Sequence, residues 1–230
     1  MTTIVALYHK DEGYSIAADG RLSTDQNVII SDTAEKIIYA NGMHIGIAGS
    51  QAAAPAIKEF FLLSDEFAAL PEVADTASAI TLLRELCCAV NEHTDTHICP
   101  VNDDDKRPYW EVLIASTYGL FVLSSNGVVV GGRAVGTSMQ YIGIGTGAVA
   151  AMALVHVAAM RANAAIEISK ITNDQPTSDA SIFAYDMRKV IDTAATFDAA
   201  TGGWTRVFNR KFNDALPHQE EASLGSATIN

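Results

Sequence analysis

The sequence predicts a layered α+β domain in which two antiparallel sheets face each other with helices outside. Three observations predict it. Blocks of short β-rich runs alternate with pairs of helical segments, in the order strands, two helices, strands, two helices, strand. Asn-Gly turns (Asn41-Gly42, Asn126-Gly127) join or open neighbouring apolar runs. The 230 residues, 49% hydrophobic and 18% charged, suffice for one substantial core, and no repeat or linker divides them. Periodicity alone leaves the stacking of the sheets open.

Thr3–Leu7 and Tyr14–Ala18 read as a hairpin around a polar turn containing Gly13. Val28–Ile30 and Lys36–Tyr39 are further strands, and Met43–Gly49 follows the Asn41-Gly42 turn. Gln51–Phe67 is rich in helix formers and carries Pro55 in its first turn, where a missing N–H costs nothing. Asp75–Asn91 has apolar residues at helical spacing, with Asp75 or Thr76 as N-cap. Asn102–Pro108 is a polar loop. Trp110–Ser116 and Gly119–Ser124 form a second hairpin, Val128–Val130 follows a turn, and Tyr141–Ile144 is a short strand. Ala148–Ala165 reads as a long, mostly buried Ala-rich helix, and Ser178–Ala195 as another, capped by Ser178 or Asp179. Trp204–Phe208 is a last strand. One domain is assigned to 1–212 and a polar tail to 213–230.

Lys+Arg is 15 and Asp+Glu is 27, a net charge of −12. An acidic chain without basic clusters argues against binding a nucleic-acid backbone or an anionic membrane surface. No run of eighteen apolar residues is unbroken, so no membrane span is expected. The start lacks the basic and apolar regions of a secretory signal, and Cys87, Cys88 and Cys99 make an odd number. Both features lead us to expect a reduced, cytoplasmic protein.

Five features carry chemistry. If Met1 is removed, Thr2 presents a hydroxyl nucleophile beside an α-amine, whose ordinary pKa near 7.7–8.0 lets it act as a base. Asp19 and Lys36 stand at the ends of apolar strands, and an ammonium beside the threonine would favour the neutral amine. Gly46-Ile47-Ala48-Gly49 ends a strand where a backbone N–H can approach an oxyanion. Gly145-Thr146-Gly147 opens a helix but lacks the continuation of a phosphate loop. Asp198-Ala199-Ala200-Thr201-Gly202-Gly203 follows a helix.

Taken in order, these segments resemble the proteasome β subunits and HslV, the peptidase subunit of a bacterial two-component protease. Met1-Thr2-Thr3-Ile4-Val5 is similar to the mature Thr-Thr-Ile-Val start, and Asp19-Gly20 to the Asp-Gly after the first hairpin. Lys36 resembles the site lysine, and Gly49 the glycine that supplies the oxyanion N–H. Thr146 and Thr201 stand where the family carries serines, and Asp198 where it carries aspartate. The resemblance runs from about Thr2 to Phe208. It departs in a first hairpin one residue longer, one more residue between Asp19 and Lys36, and an extra loop around Asn102–Pro108.

The resemblance implies the four-layer αββα sandwich of the N-terminal nucleophile hydrolases and a threonine endopeptidase. Thr2, Asp19, Lys36, Gly49, Thr146, Asp198 and Thr201 would be catalytic. Leu22, Ala34, Ile47 and Gln51 would line an uncharged side-chain pocket. It also implies a ring or other closed oligomer, a separate ATP-dependent unfoldase, and a peptide or unfolded protein as substrate. No cofactor is required, and a structural monovalent or divalent cation is left unassigned. His93 and His97 have metal-ligand spacing, with Cys99 nearby, but the sequence offers no matching partner, so no metal set is assigned. The competing readings are an amidase with the same nucleophile acting on a small amide, and a non-catalytic assembly protein that retains Met1.

Overall fold

The computed structural model describes residues 2–23, 28–63, 76–97, 108–172, 181–212 and 218–219. In chain order the elements are β1 (Thr3–His9), β2 (Gly13–Ala18), β3 (Leu22–Ser23), β4 (Ile29–Ser31), β5 (Ile37–Ala40), β6 (Met43–Gly49), α1 (Ala53–Leu63) and α2 (Thr76–His97). There follow β7 (Trp110–Ser116), β8 (Gly119–Ser124), β9 (Val129–Gly131), β10 (Arg133–Val135), β11 (Met139–Gly145) and α3 (Ala148–Thr172). A 3-10 turn (Ile182–Ala184), α4 (Met187–Ala194), β12 (Arg206–Lys211) and β13 (His218–Gln219) complete them.

Alternation along β1 sets the layering, because successive side chains of a strand point to opposite faces. Val5 and Leu7 join a core with Ala151, Val155, Val190 and Ile191 of α3 and α4. Ile4, Ala6 and Tyr8 join a second core with Ile37, Leu113 and Val122 of the other sheet. A third core packs Ile45, Ile47, Val112 and Ile114 against Ile57, Phe60, Phe61 and Leu83 of α1 and α2. The layers therefore run helices, sheet, sheet, helices, as the resemblance implied. One sheet has the order β10-β11-β1-β2-β12-β13, the other β5-β6-β7-β8-β9, and β3-β4 form a small ribbon. Every strand pairing is antiparallel.

Several expectations are corrected. α2 continues to His97, six residues beyond Asn91, because Val90 and Thr94 keep its inner face buried. α3 runs past Ala165 to Thr172, and it is not mostly buried. Its inner face is small and packed, whereas Val149, Val157, Met160, Ile168 and Ile171 face outward. By length and composition alone α3 could cross a membrane, although Ala151, Val155, Ala159 and Ala162 pack on the sheet. The helix expected over 178–195 is a 3-10 turn followed by α4, whose cap is Asp186, accepting from the Arg188 and Lys189 N–H groups. The other proposed caps, Asp75, Ser178 and Asp179, lie outside the described residues, as does most of the 102–108 loop. The last strand is shifted to Arg206–Lys211, and β13 pairs with it from within the segment assigned to the tail.

Candidate active site

β1 emerges beside two other segments at one end of the six-stranded sheet. Thr2 is buried immediately before it. The next residue is clamped: Thr3 N–H donates to Asp19 Oδ1 at 2.6 Å, and Asp19 N–H donates to Thr3 O at 3.1 Å. Thr3 Oγ1 and Thr201 Oγ1 lie 2.5 Å apart. The position of Thr2 is thus set by a strand that pairs on both sides, with β2 and with β11.

Asp19 is the hub. Its Oδ1 also accepts from Lys36 Nζ at 2.9 Å, and its Oδ2 accepts from the N–H groups of Arg21 and Gly202, both at 3.2 Å. The Asp19–Lys36 pair has side-chain exposures of 0% and 5%. Burial pushes the Asp19 carboxyl up and the Lys36 ammonium down, and each charge partly offsets the effect on the other. Both Asp19 oxygens accept from N–H donors, which suits the ionised carboxylate. Lys36 Nζ also donates to Arg21 O, and Arg21 itself is anchored to Asp32 and to the carbonyl of Ala199.

The third segment is organised by Asp198. Its Oδ2 accepts from the hydroxyls of Thr146 and Thr201, at 2.9 and 2.8 Å, and its Oδ1 from Ala200 N–H at 3.0 Å. Burial raises this carboxyl, but the hydrogen bonds from Thr201, Ala200 and Thr146 outweigh it and hold it low. Gly145 stands against the backbone of Thr2: a Cβ there would lie 1.9 Å from Thr2 O, and its φ is +87°. Only glycine fits both requirements.

A cavity of about 330 Å³ opens beside Thr2. Lys36 and Gly49 line it, as do Leu22, Ala34, Ile47 and Gln51. Asp19, Thr146, Asp198 and Thr201 do not line it: Asp19 is bonded to Lys36, and Asp198 joins Thr146 to Thr201, whose Oγ1 meets Thr3 Oγ1. Gly49 ends β6 at φ +115°, held between the strand and α1. Two charged residues absent from the sequence-derived set also line the cavity, Glu35 and Lys58. Both are engaged: Lys58 Nζ donates to Glu35 O at 2.6 Å, and Glu35 pairs with Arg206 at 2.7 Å.

Sequence reasoning missed Thr3 and Arg21 as parts of the site. The only available signal was adjacency, Thr3 next to Thr2 and Arg21 two residues after Asp19. His93 and His97 lie elsewhere, at the end of α2, and Cys99 lies outside the described residues.

No family model matches the sequence, and no curated protein matches it. Solved structures do match. The eukaryotic HslV from Trypanosoma brucei is 19% identical, with a TM-score of 0.56 over 90% of this chain and 97% of that one. The BPH protein of Thiobacillus denitrificans is 22% identical, with a TM-score of 0.57 over 90% of this chain and 97% of that one. The same protein in complex with epoxomicin is 21% identical, with a TM-score of 0.58 over 92% of this chain and all of that one. The chain has the fold of these proteins.

Proposed function

We propose that this chain is a threonine peptidase whose nucleophile is Thr2, freed of Met1. One observation carries the reading: buried Thr2 shares a cavity wall with Lys36, which is ion-paired to buried Asp19. An ammonium held in a poorly hydrated position next to a hydroxyl favours the alkoxide and the neutral amine. The Thr2 hydroxyl attacks the substrate carbonyl and its proton passes to the Thr2 α-amine. The Gly49 N–H stabilises the oxyanion. The intermediate collapses, the C–N bond breaks, and the amine returns the proton to the leaving nitrogen. Water then attacks the remaining ester, with the α-amine again taking the proton, and Thr2 is regenerated. Asp19 fixes Lys36. Asp198, with Thr146 and Thr201, orients the amine and the water.

Ile47, Leu22 and Ala34 support a preference for apolar side chains, since Glu35 is paired with Arg206 and Lys58 is turned onto the Glu35 carbonyl. Self-association into a closed ring, a separate ATP-dependent unfoldase and a cytoplasmic location belong to the same reading. The outward apolar residues of α3 and the likeness to HslV support the first, and the free thiols Cys87 and Cys88 suit the last.

The test starts with intact mass. A purified chain lacking Met1 should cleave fluorogenic peptides in preference to small amides and gain the mass of epoxomicin when incubated with it. Thr2→Ala should do neither. Activity surviving in Thr2→Ala, or quantitative retention of Met1 in an active preparation, would overturn the assignment. A monomer at working concentration would remove the ring.

A further inference from the structure

The His93–His97 pair acquires a partner in three dimensions that the sequence does not reveal. Glu59, on α1, meets them on α2, and one ligand atom from each of the three lies within 4.8 Å of the others. The imidazoles are stacked, with ring centroids 3.9 Å apart, and the edge of Phe60 holds the His93 ring in place at 5.5 Å.

Two details point to a ligand. His93 Nε2 is buried and has no hydrogen-bond partner among the described residues, a costly state for a ring nitrogen. His97 Nδ1 lies 2.8 Å from the His93 carbonyl oxygen, an acceptor, so Nδ1 carries the proton. That fixes the tautomer and leaves the His97 Nε2 lone pair free, the arrangement in which a second hydrogen bond orients a metal-ligating histidine. Glu59 is exposed and makes no hydrogen bond or ion pair among the described residues, so no competing cation holds its carboxylate.

We propose that Glu59, His93 and His97 form a binding site for a divalent transition-metal ion of the zinc class, bridging α1 to α2. Two imidazoles and one carboxylate favour zinc, nickel or copper over magnesium and calcium, which prefer all-oxygen sets. Tetrahedral zinc, with bonds of about 2.0–2.2 Å, requires its ligand atoms about 3.3 Å apart. The three ligand atoms lie within 4.8 Å of one another, a limit wider than that spacing, so binding would draw the side chains together. Three protein ligands leave one position for water.

The experiment uses the full chain, stripped with chelator and desalted, titrated with zinc against a chromophoric indicator and separately with cobalt(II). We expect one zinc per chain at micromolar affinity or tighter, the visible absorption of four-coordinate cobalt, and no competition from millimolar magnesium. His97→Gln and Glu59→Gln, both exposed and neutral to folding, should each weaken binding by about tenfold or more. Cys88→Ser, at an exposed thiol away from the cluster, should leave it unchanged. Absence of stoichiometric zinc binding, or equal affinity in His97→Gln and wild type, would overturn the proposal. A loss of affinity in Cys88→Ser would do the same by moving the site. Peptidase activity plays no part in the readout, so the proposal stands or falls apart from the Thr2 assignment.

Discussion

Replacing Lys36 with methionine separates the two jobs assigned to it. The side chain is similar in length and apolar, so packing is nearly kept while the ammonium is lost. Asp19 would then be a buried carboxylate without its counter-ion. Breaking a buried pair from one side costs about 3–5 kcal/mol. Asp19 keeps three backbone donors, from Thr3, Arg21 and Gly202, which puts the expected cost at the low end, about 3 kcal/mol. For a chain of this size each kcal/mol shifts Tm by about 2–4 °C, so scanning calorimetry should register a fall of roughly 6–12 °C. In Lys36→Met with Asp19→Asn the orphaned charge is gone, but the new amide nitrogen faces at least one backbone N–H, at about 1–3 kcal/mol, so only part of that Tm should return. Activity should not: both variants lack the ammonium beside Thr2. Three results would refute the reasoning. One is a Tm in Lys36→Met within about 2 °C of wild type. Another is a double variant less stable than the single, and the third is a double variant that regains peptidase activity.

Three further predictions follow. Gly145→Ala puts a Cβ 1.9 Å from Thr2 O at a φ of +87°, so it should destabilise by more than about 1 kcal/mol and lower kcat by displacing Thr2; denaturant unfolding and peptide kinetics check both. Asp198→Asn cannot accept from Thr146, Thr201 and the Ala200 N–H at once. With the amide nitrogen toward Ala200 its N–H is stranded, at about 1–3 kcal/mol; with it toward the threonines both hydroxyls must turn from donor to acceptor, and in either case kcat should fall about tenfold or more while KM changes little. His44 is buried, which with Arg210 holds its pKa down to about 4 against 6.5. The folded state resists its protonation, so stability present above pH 6.5 is lost as pH falls toward 4. At about 1.4 kcal/mol per pH unit this is about 3 kcal/mol. His44→Phe should flatten that limb of a Tm-against-pH curve, and an unchanged limb would refute the assignment.

The sequence made the hairpins legible because their turns are chemically marked: Asn41-Gly42 precedes β6, and Gly119 opens β8. It made β1, β6, β7 and β8 legible because each is an apolar run buried on both faces. β10 escaped notice, since Arg133-Ala134-Val135 has no β-forming run and is a strand only through pairing with β11. The split of the fourth helical segment was hidden for a similar reason: Tyr185 and the Asp186 cap interrupt a composition that looks continuous. At the site, residue types with intrinsic chemistry stood out. Thr3 and Arg21 did not: their contacts to Asp19 and Lys36 run through a backbone N–H and a backbone carbonyl, which any residue type supplies, and their side chains meet partners far along the chain, Thr201 and Ala199. Glu59 joins His93 only through the packing of α1 on α2, and nothing in the spacing from 59 to 93 announces it.

The pairing of β1 has a consequence for the order in which the molecule is made. Its neighbours in the sheet are β2, close behind it, and β11, which begins at Met139, and β2 in turn needs β12 from Arg206 onward. During synthesis β1 leaves the ribosome well ahead of β11 and waits for the partner that holds it on that side. Contacts of such sequence separation fold slowly, and until they close, Ile4, Val5 and Leu7 remain open to other chains. Thr2, whose position β1 sets, is thus made well before the later strands that define its surroundings.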